Sequence, residues 1–136
     1  MGTQATLKEY IGIAPESGLE LAELVEHGLP VENLDVLKAK GLTFAEMSAI
    51  IPARTLKHRK ARGENLSSEE TEKAVRVALM IRLAENVFGN HEKAMRWLRG
   101  DDDRLGGRTP LSMAQTEAGG RLVESMLWGI AEGIFH

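Results

Sequence analysis

Few side chains in this sequence have the types and spacing that catalysis or metal binding requires. The four histidines, His27, His58, His91 and His136, stand far apart and lack the flanking pattern of a metal site. The chain has no cysteine, which excludes disulfide and thiolate chemistry. Asp101 to Asp103 lack the spaced oxygen ligands and glycine of a calcium loop, so we interpret them as a solvated linker. We therefore predict a protein that is not an enzyme and that holds no metal or cofactor.

Positive charge is concentrated in one stretch of nine residues. Residues 54–62 carry five basic and no acidic side chains, whereas residues 1–53 carry three basic and eight acidic ones. The remaining residues, 63–136, carry nine basic and twelve acidic side chains. A local cluster of arginine and lysine is the pattern that neutralises phosphates. We predict that the following residues contact DNA: Arg54, Thr55, Lys57, His58, Arg59, Lys60 and Arg62.

The residues before this stretch favour a helix-turn-helix. Thr43 and Glu46 have the spacing of a capping box, which opens a short helix, and Pro52 separates that helix from the basic one. Two short helices with a tight break, the second of them basic, are typical of the motif, with Leu56 anchoring the second helix. The alternative is a solvated charged helix without a DNA role. Acidic neighbours on both sides predict that a monomer binds DNA weakly and in a salt-sensitive way.

The C-terminal segment combines glycines with apolar residues. Glycine within a helix costs about 1 kcal/mol relative to alanine, so these positions need close packing in return. That packing is either internal or against a partner, and the apolar end at residues 128–136 favours a partner. Arg108 beside a glycine can present its guanidinium to a carboxylate or phosphate, or form a surface salt bridge. The glycines are Gly106, Gly107, Gly119, Gly120, Gly129 and Gly133.

The rest of the chain predicts an all-α fold. No segment alternates apolar and polar residues for long, and only six aromatic residues occur, which argues against strands. Residues 1–17 are weakly patterned, and we expect a loose arm or a lead-in segment there. The capping signals of Ser67 with Glu70, of Asn90 and of Thr116 each predict the start of a helix. We expect these residues to face the interior: Leu21, Leu24, Val25, Phe44, Met47, Ile50 or Ile51, Leu122, Val123, Met126 and Leu127.

Residues from about 19 to 135 resemble the Xre/MbcA/ParS antitoxin family. The N-terminal part is similar to its Xre-like helix-turn-helix at Gly28–Pro30, Gly41–Glu46, Arg54–Leu56 with Arg59, and Leu66–Glu70. The C-terminal part resembles its toxin-binding domain at Val87–Gly89, Ala94 with Trp97–Leu98, Leu105–Leu111 and Thr116–Gly119. The sequence departs from the family pattern at Arg99–Asp103, where a proline-containing connection is common, and at Ala53, where a basic residue is frequent.

The resemblance implies a type II antitoxin. Its partner would be a RES-domain toxin, an NAD-consuming or ADP-ribosylating enzyme whose active site the C-terminal region covers. Antitoxins of this family form dimers, and some bind their own operator. The alternative is a stand-alone helix-turn-helix transcriptional regulator. The resemblance carries over these residues for toxin contact: Leu105, Gly106, Gly107, Arg108, Thr109, Pro110, Leu111, Thr116, Glu117, Trp128, Ile130, Ile134 and Phe135.

Domain limits and cellular location follow from the same patterns. We predict an N-terminal arm over residues 1–18, a helix-turn-helix domain over 19–66 and a toxin-binding domain over 67–136. The N-terminus lacks the basic start and apolar core of a signal peptide, and no run of 18 apolar residues occurs. We therefore expect a cytoplasmic protein that does not contact a membrane.

Overall fold

The computed structural model describes residues 6–133, and within that range the chain is helical, as predicted. Among these described residues, the one β-type pairing is an isolated antiparallel bridge between Asp102 and Arg108. No helix in the described range is both long and apolar enough to cross a membrane. The α-helices are α1 Lys8–Ile11, α2 Gly18–His27, α3 Leu34–Ala39, α4 Phe44–Ile50, α5 Ala53–Arg62, α6 Ser68–Phe88, α7 His91–Leu98 and α8 Glu117–Ala131, with 3₁₀ turns at Val31–Asn33, Asp103–Leu105 and Leu111–Gln115.

The chain divides into two compact units, residues 1–78 and residues 79–136. The division falls within α6, the longest helix. The predicted limits, which separate the domains after residue 66, stay predictions.

The expected loose arm is wrong over the segment that α1 occupies. Leu7, Tyr10 and Ile11 are buried, and α1 packs against α3 in the N-terminal unit. The Asn33 side-chain amide donates a hydrogen bond of 2.7 Å to the Ile11 carbonyl. The Lys40 ammonium lies 4.4 Å from the centre of the Tyr10 ring. A helix of four residues is too short to show a clear apolar period, although its buried residues have helical spacing.

The connection between α2 and α3 is tied by its backbone to the start of α6. The Leu29 N–H donates to the Thr71 hydroxyl at 2.9 Å, and the Leu29 carbonyl accepts from the Leu66 N–H at 2.9 Å. Thr71 is fully buried. Gly28, which ends α2, has a φ of +88°, and a Cβ added to it would overlap the Leu66 carbonyl, so the two backbones are in close contact. This contact fixes where α6 begins relative to the N-terminal helices.

Two residues expected in the interior are exposed instead. Phe44 is 68% exposed, because it lies about 120° around α4 from the buried Ile50 at 100° per residue. Leu122 is 44% exposed at the edge of α8, whereas Val123, Met126 and Leu127 are buried as expected. The other expected positions, Leu21, Leu24, Val25 and Met47, are half-buried, and Ile51 is buried.

The capping predictions are confirmed. Thr43 and Glu46 form the complete capping box at α4, and Ser67 and Glu70 exchange the same two hydrogen bonds at α6. Asn90 accepts from the Lys93 N–H to start α7. The Thr116 hydroxyl accepts from the Gly119 N–H at 3.0 Å to start α8.

Candidate DNA-contact and partner-contact surfaces

Helix α5 presents its basic side chains to solvent. The extended backbone at Ile51 and Pro52 breaks the chain between α4 and α5, and Gly63 ends α5 with a left-handed φ of +65°. None of the ten residues of α5 is fully buried, and the predicted anchor Leu56 is half-buried. The segment Phe44–Arg62 is therefore two short helices with a tight break, as the helix-turn-helix prediction requires.

Most of the residues predicted to contact DNA lie on the exposed side of α5. Arg54, Lys57 and His58 share one face, because they are three and four residues apart. Lys60 and Arg62 are exposed beside that face, and Thr55 is half-buried. Five side chains with basic groups are thus available to an anionic partner along this helix.

Arg59 differs from the other basic residues of α5. Its Nε and Nη2 donate to the two carboxylate oxygens of Glu70 at 2.7 and 3.1 Å, and its Nη1 lies 3.7 Å from Glu64. Burial acts to raise the pKa of Glu70, but hydrogen bonds from Arg59 and Ser67 outweigh it and hold that pKa below its usual value. The hydrogen bond to Glu70 raises the pKa of Arg59. The guanidinium predicted to contact DNA is therefore bound within the protein.

In the C-terminal unit, Asp102 organises the loop at residues 102–108. Its carbonyl accepts from the N–H groups of Leu105 and Gly107, both at 2.9 Å, and its own N–H donates to the Arg108 carbonyl at 3.1 Å. Its carboxylate pairs with the Arg104 guanidinium at 2.8 Å, and these hydrogen bonds lower the pKa of Asp102. The prediction of a solvated linker is wrong at Asp102, whose oxygens and N–H build the turn.

The residues of this loop divide into a buried support and an exposed tip. Leu105 is buried, and its carbonyl accepts from the Arg108 Nε at 3.0 Å. Gly106 and Gly107 have φ of +68° and +83°, which the tight turn requires and which L side chains rarely adopt. Both glycines and Arg108 are exposed. The tip therefore presents backbone and one guanidinium to solvent.

The 3₁₀ turn after the loop and the start of α8 are closely packed against each other. Pro110 is buried, and Thr109 and Leu111 are half-buried. A Cβ on Gly119 would overlap the Met113 carbonyl, so internal packing accounts for this glycine. Thr116 acts as the cap of α8.

Helix α8 carries the other described residues assigned to toxin contact, and among them Glu117 and Trp128 are exposed. Trp128 is 51% exposed, Ile130 is half-buried, and Glu117 pairs with Arg121 at 2.6 Å. Ile134 and Phe135 lie outside the described residues. Trp128 therefore stands on α8 as a large apolar group that the C-terminal unit does not enclose.

Two structural roles are not among the sequence predictions, namely that of Asp102 in its turn and that of Glu70 as the partner of Arg59. The spacing of Asp102 before a Gly-Gly pair is a recognisable turn signal, since aspartate often bonds the backbone two residues on. The pairing of Glu70 with Arg59 spans eleven residues, and no local pattern indicates it.

Comparisons with known proteins cover nearly the whole described chain. Residues 20–79 match the antitoxin Xre-like helix-turn-helix domain, and residues 83–133 match the antitoxin Xre/MbcA/ParS C-terminal toxin-binding domain. A protein named antitoxin Xre from Pseudomonas putida is 40% identical over 118 residues, which are 86% of this chain and 74% of that protein. A protein of the same name from Yersinia enterocolitica is 28% identical, over 98% of this chain and 92% of that protein. Another from Photorhabdus laumondii is 27% identical, over 91% of this chain and 86% of that protein.

Proposed function

The chain belongs to the Xre antitoxin family of toxin–antitoxin systems, and we propose that it neutralises a RES-domain toxin by covering the toxin's active site with its C-terminal region. The toxin would be an NAD-consuming or ADP-ribosylating enzyme, as the family resemblance implies. The observation that carries the proposal is the exposed Trp128, which lies within the residues that match the toxin-binding domain. A half-exposed tryptophan is the kind of residue that dominates binding energy at protein interfaces.

The loop tip at residues 106–108 supplies the polar part of the proposed surface. The Arg108 Nε is held by the Leu105 carbonyl, while its two terminal nitrogens have no hydrogen-bond partner within residues 6–133. A guanidinium that is fixed at one nitrogen and free at the others suits a carboxylate of the toxin. Leu105, Pro110 and Thr116 would shape the surface from below, because burial or capping already engages them.

Co-expression with the product of the neighbouring gene tests the proposal. The neighbour is purified through its own tag, and this chain should co-purify in stoichiometric amount. Expression of the neighbour alone should arrest growth and deplete cellular NAD or label protein with ADP-ribose. A neighbour that neither binds nor harms the cell would contradict the proposal and favour a stand-alone transcriptional regulator.

We further propose that the chain binds its operator as a homodimer through the exposed face of α5. Arg54, Lys57 and His58 lie on one side of α5. Because α5 follows the tight break, it has the place of the recognition helix, which enters the major groove. Two copies would present two such faces to the half-sites of an operator, which offsets the weak binding expected of one copy. Operator binding would place the protein in the cytoplasm.

Replacing Arg54 and Lys57 by alanine should weaken operator binding strongly. Each lost phosphate contact makes the negative slope of log affinity against log salt shallower by about 0.9. Each contact therefore accounts for about an eightfold loss of affinity between 0.1 and 1 M salt. Binding to the promoter duplex upstream of this chain's gene, measured over a salt series, should therefore show a slope smaller by about two per α5 helix.

The matched control is the double replacement of Lys93 and Arg96 on α7. These two exposed cations have the same spacing as Arg54 and Lys57. Operator affinity and its salt slope should stay unchanged in the control. An equal loss in both double variants would show that net charge, rather than the face of α5, determines DNA binding.

A further inference from the structure

The ion pair between Arg59 and Glu70 joins the basic helix α5 to the first turn of α6. Both guanidinium-to-carboxylate distances are hydrogen-bond distances, 2.7 and 3.1 Å, so the contact is bidentate and fixes the plane of the guanidinium. The two side chains are only 24% and 16% exposed, which limits screening by solvent and salt.

Hydrogen bonds with Ser67 also hold Glu70 in place, independently of Arg59. Its carboxylate accepts from the Ser67 N–H at 2.8 Å, and its own N–H donates to the Ser67 hydroxyl at 3.1 Å. The next residue, Thr71, is fully buried and accepts from the Leu29 N–H. The carboxylate therefore belongs to an anchored helix start, and its position determines where the Arg59 guanidinium lies.

Leu56 is the one large apolar side chain of α5, so apolar burial restrains the rotation of this helix weakly. None of its side chains is fully buried, and Leu56 is half-buried. At 100° per residue, Arg59 lies about 140° around the helix from Arg54 and about 160° from Lys57. The ion pair thus holds the side of α5 opposite to its exposed cationic face.

We propose that the Arg59–Glu70 pair is a positioning device that sets the rotation of α5 and so aims Arg54, Lys57 and His58 at the operator. Arg59 is then a positioning residue and not a phosphate contact, and Glu70 is an acidic residue that DNA binding requires. This inference rests on the proposed operator binding.

Glu70→Ala tests the sign of the effect, with the full chain and the promoter duplex upstream of its gene. By charge alone, removing one negative charge about 10 Å from a phosphate should tighten DNA binding about twofold at low salt. A positioning role predicts the opposite, a loss of about tenfold, comparable to one lost base contact. Amide hydrogen exchange in α5 should also become faster, whereas exchange in α7 and α8 should not change.

Two control variants separate positioning from charge and from stability. Glu64→Gln removes an equal charge that lies 3.7 Å from the same guanidinium but leaves the bidentate pair, so DNA affinity should stay equal or rise slightly. Ser67→Ala removes the hydroxyl that accepts from Glu70 but leaves the pair intact, so it should lower thermal stability without a tenfold loss of DNA affinity. If Glu70→Ala fails to fold, Glu70→Gln retains an oxygen for the Ser67 N–H.

Arg59→Lys provides an independent test. Lysine keeps the positive charge but cannot form the bidentate contact, so operator affinity should fall about tenfold while the salt slope stays that of the natural chain. Full affinity in Arg59→Lys, or equal or tighter binding in Glu70→Ala, would overturn the positioning role while leaving operator binding intact. A natural chain that does not bind the duplex at any salt concentration would instead overturn the proposed operator binding, and the inference with it.

Discussion

Gly28→Ala is expected to lower the free energy of unfolding by about 3–4 kcal/mol. Gly28 has a φ of +88° and a ψ of 140°, a region that is essentially restricted to glycine. An added Cβ would also overlap the Leu66 carbonyl and approach the Asn65 Cβ to 3.2 Å. Both neighbours are restrained, because the Leu66 N–H is bonded to the Leu29 carbonyl and the Asn65 side-chain amide donates to the Gly28 carbonyl. The free-energy costs of backbone strain and of atomic overlap therefore add in Gly28→Ala.

Denaturant unfolding of the full chain measures this effect, and Gly63→Ala is its control. Gly63 also has a positive φ, +65°, but a Cβ there would meet no atom within 4 Å. Only the left-handed backbone is strained, so the expected loss is about 1–2 kcal/mol. Equal losses in the two variants would mean that the contact with Leu66 yields easily, and that the junction between the α2–α3 connection and α6 is not rigid.

The sequence was sufficient wherever the stabilising partner is local. Sequence spacing predicts the helix starts at Thr43, Ser67, Asn90 and Thr116, because each side chain accepts from an N–H three residues further along the chain. Side-chain type and spacing alone specify such contacts. The same locality explains why the helical class could be predicted.

Contacts between distant residues were not predictable in this way. The burial of Tyr10 depends on α3, which lies beyond α2 in the chain, so the weak local pattern alone predicts a loose arm. The exposure of Phe44 depends on which face of a seven-residue helix meets the core, and an apolar residue at its first position does not settle that.

The candidate sites show the same limit. By composition, Arg59 is equivalent to the other cations of α5, and only the position of Glu70 distinguishes it. Gly28 and Gly106 both have a positive φ, yet only Gly28 also lies against backbone from another part of the chain. Residue type therefore identifies which groups are available, whereas the fold determines which of them remain free for a partner.

Trp128→Ser is expected to weaken the complex with the toxin about 100-fold, in the range of an interface hot spot. Trp128 is 51% exposed, while the buried residues Val123, Met126 and Leu127 form the inner face of α8. The substitution should therefore leave thermal stability nearly unchanged and remove the apolar contact that we propose with the toxin. Titration calorimetry with the purified toxin gives the dissociation constant, and recovery of toxin activity at equal antitoxin concentration gives the functional effect.

Leu122→Ser is the matched control, because Leu122 is another exposed apolar residue on the same helix, 44% exposed. It lies about 120° around α8 from Trp128 at 100° per residue, so the two substitutions test different faces. A toxin that docks on the Trp128 face should lose about threefold or less in affinity with Leu122→Ser, as is usual outside hot spots. The reverse ranking would move the interface to the Leu122 edge of α8, and equal small losses would leave the Arg108 loop as its centre.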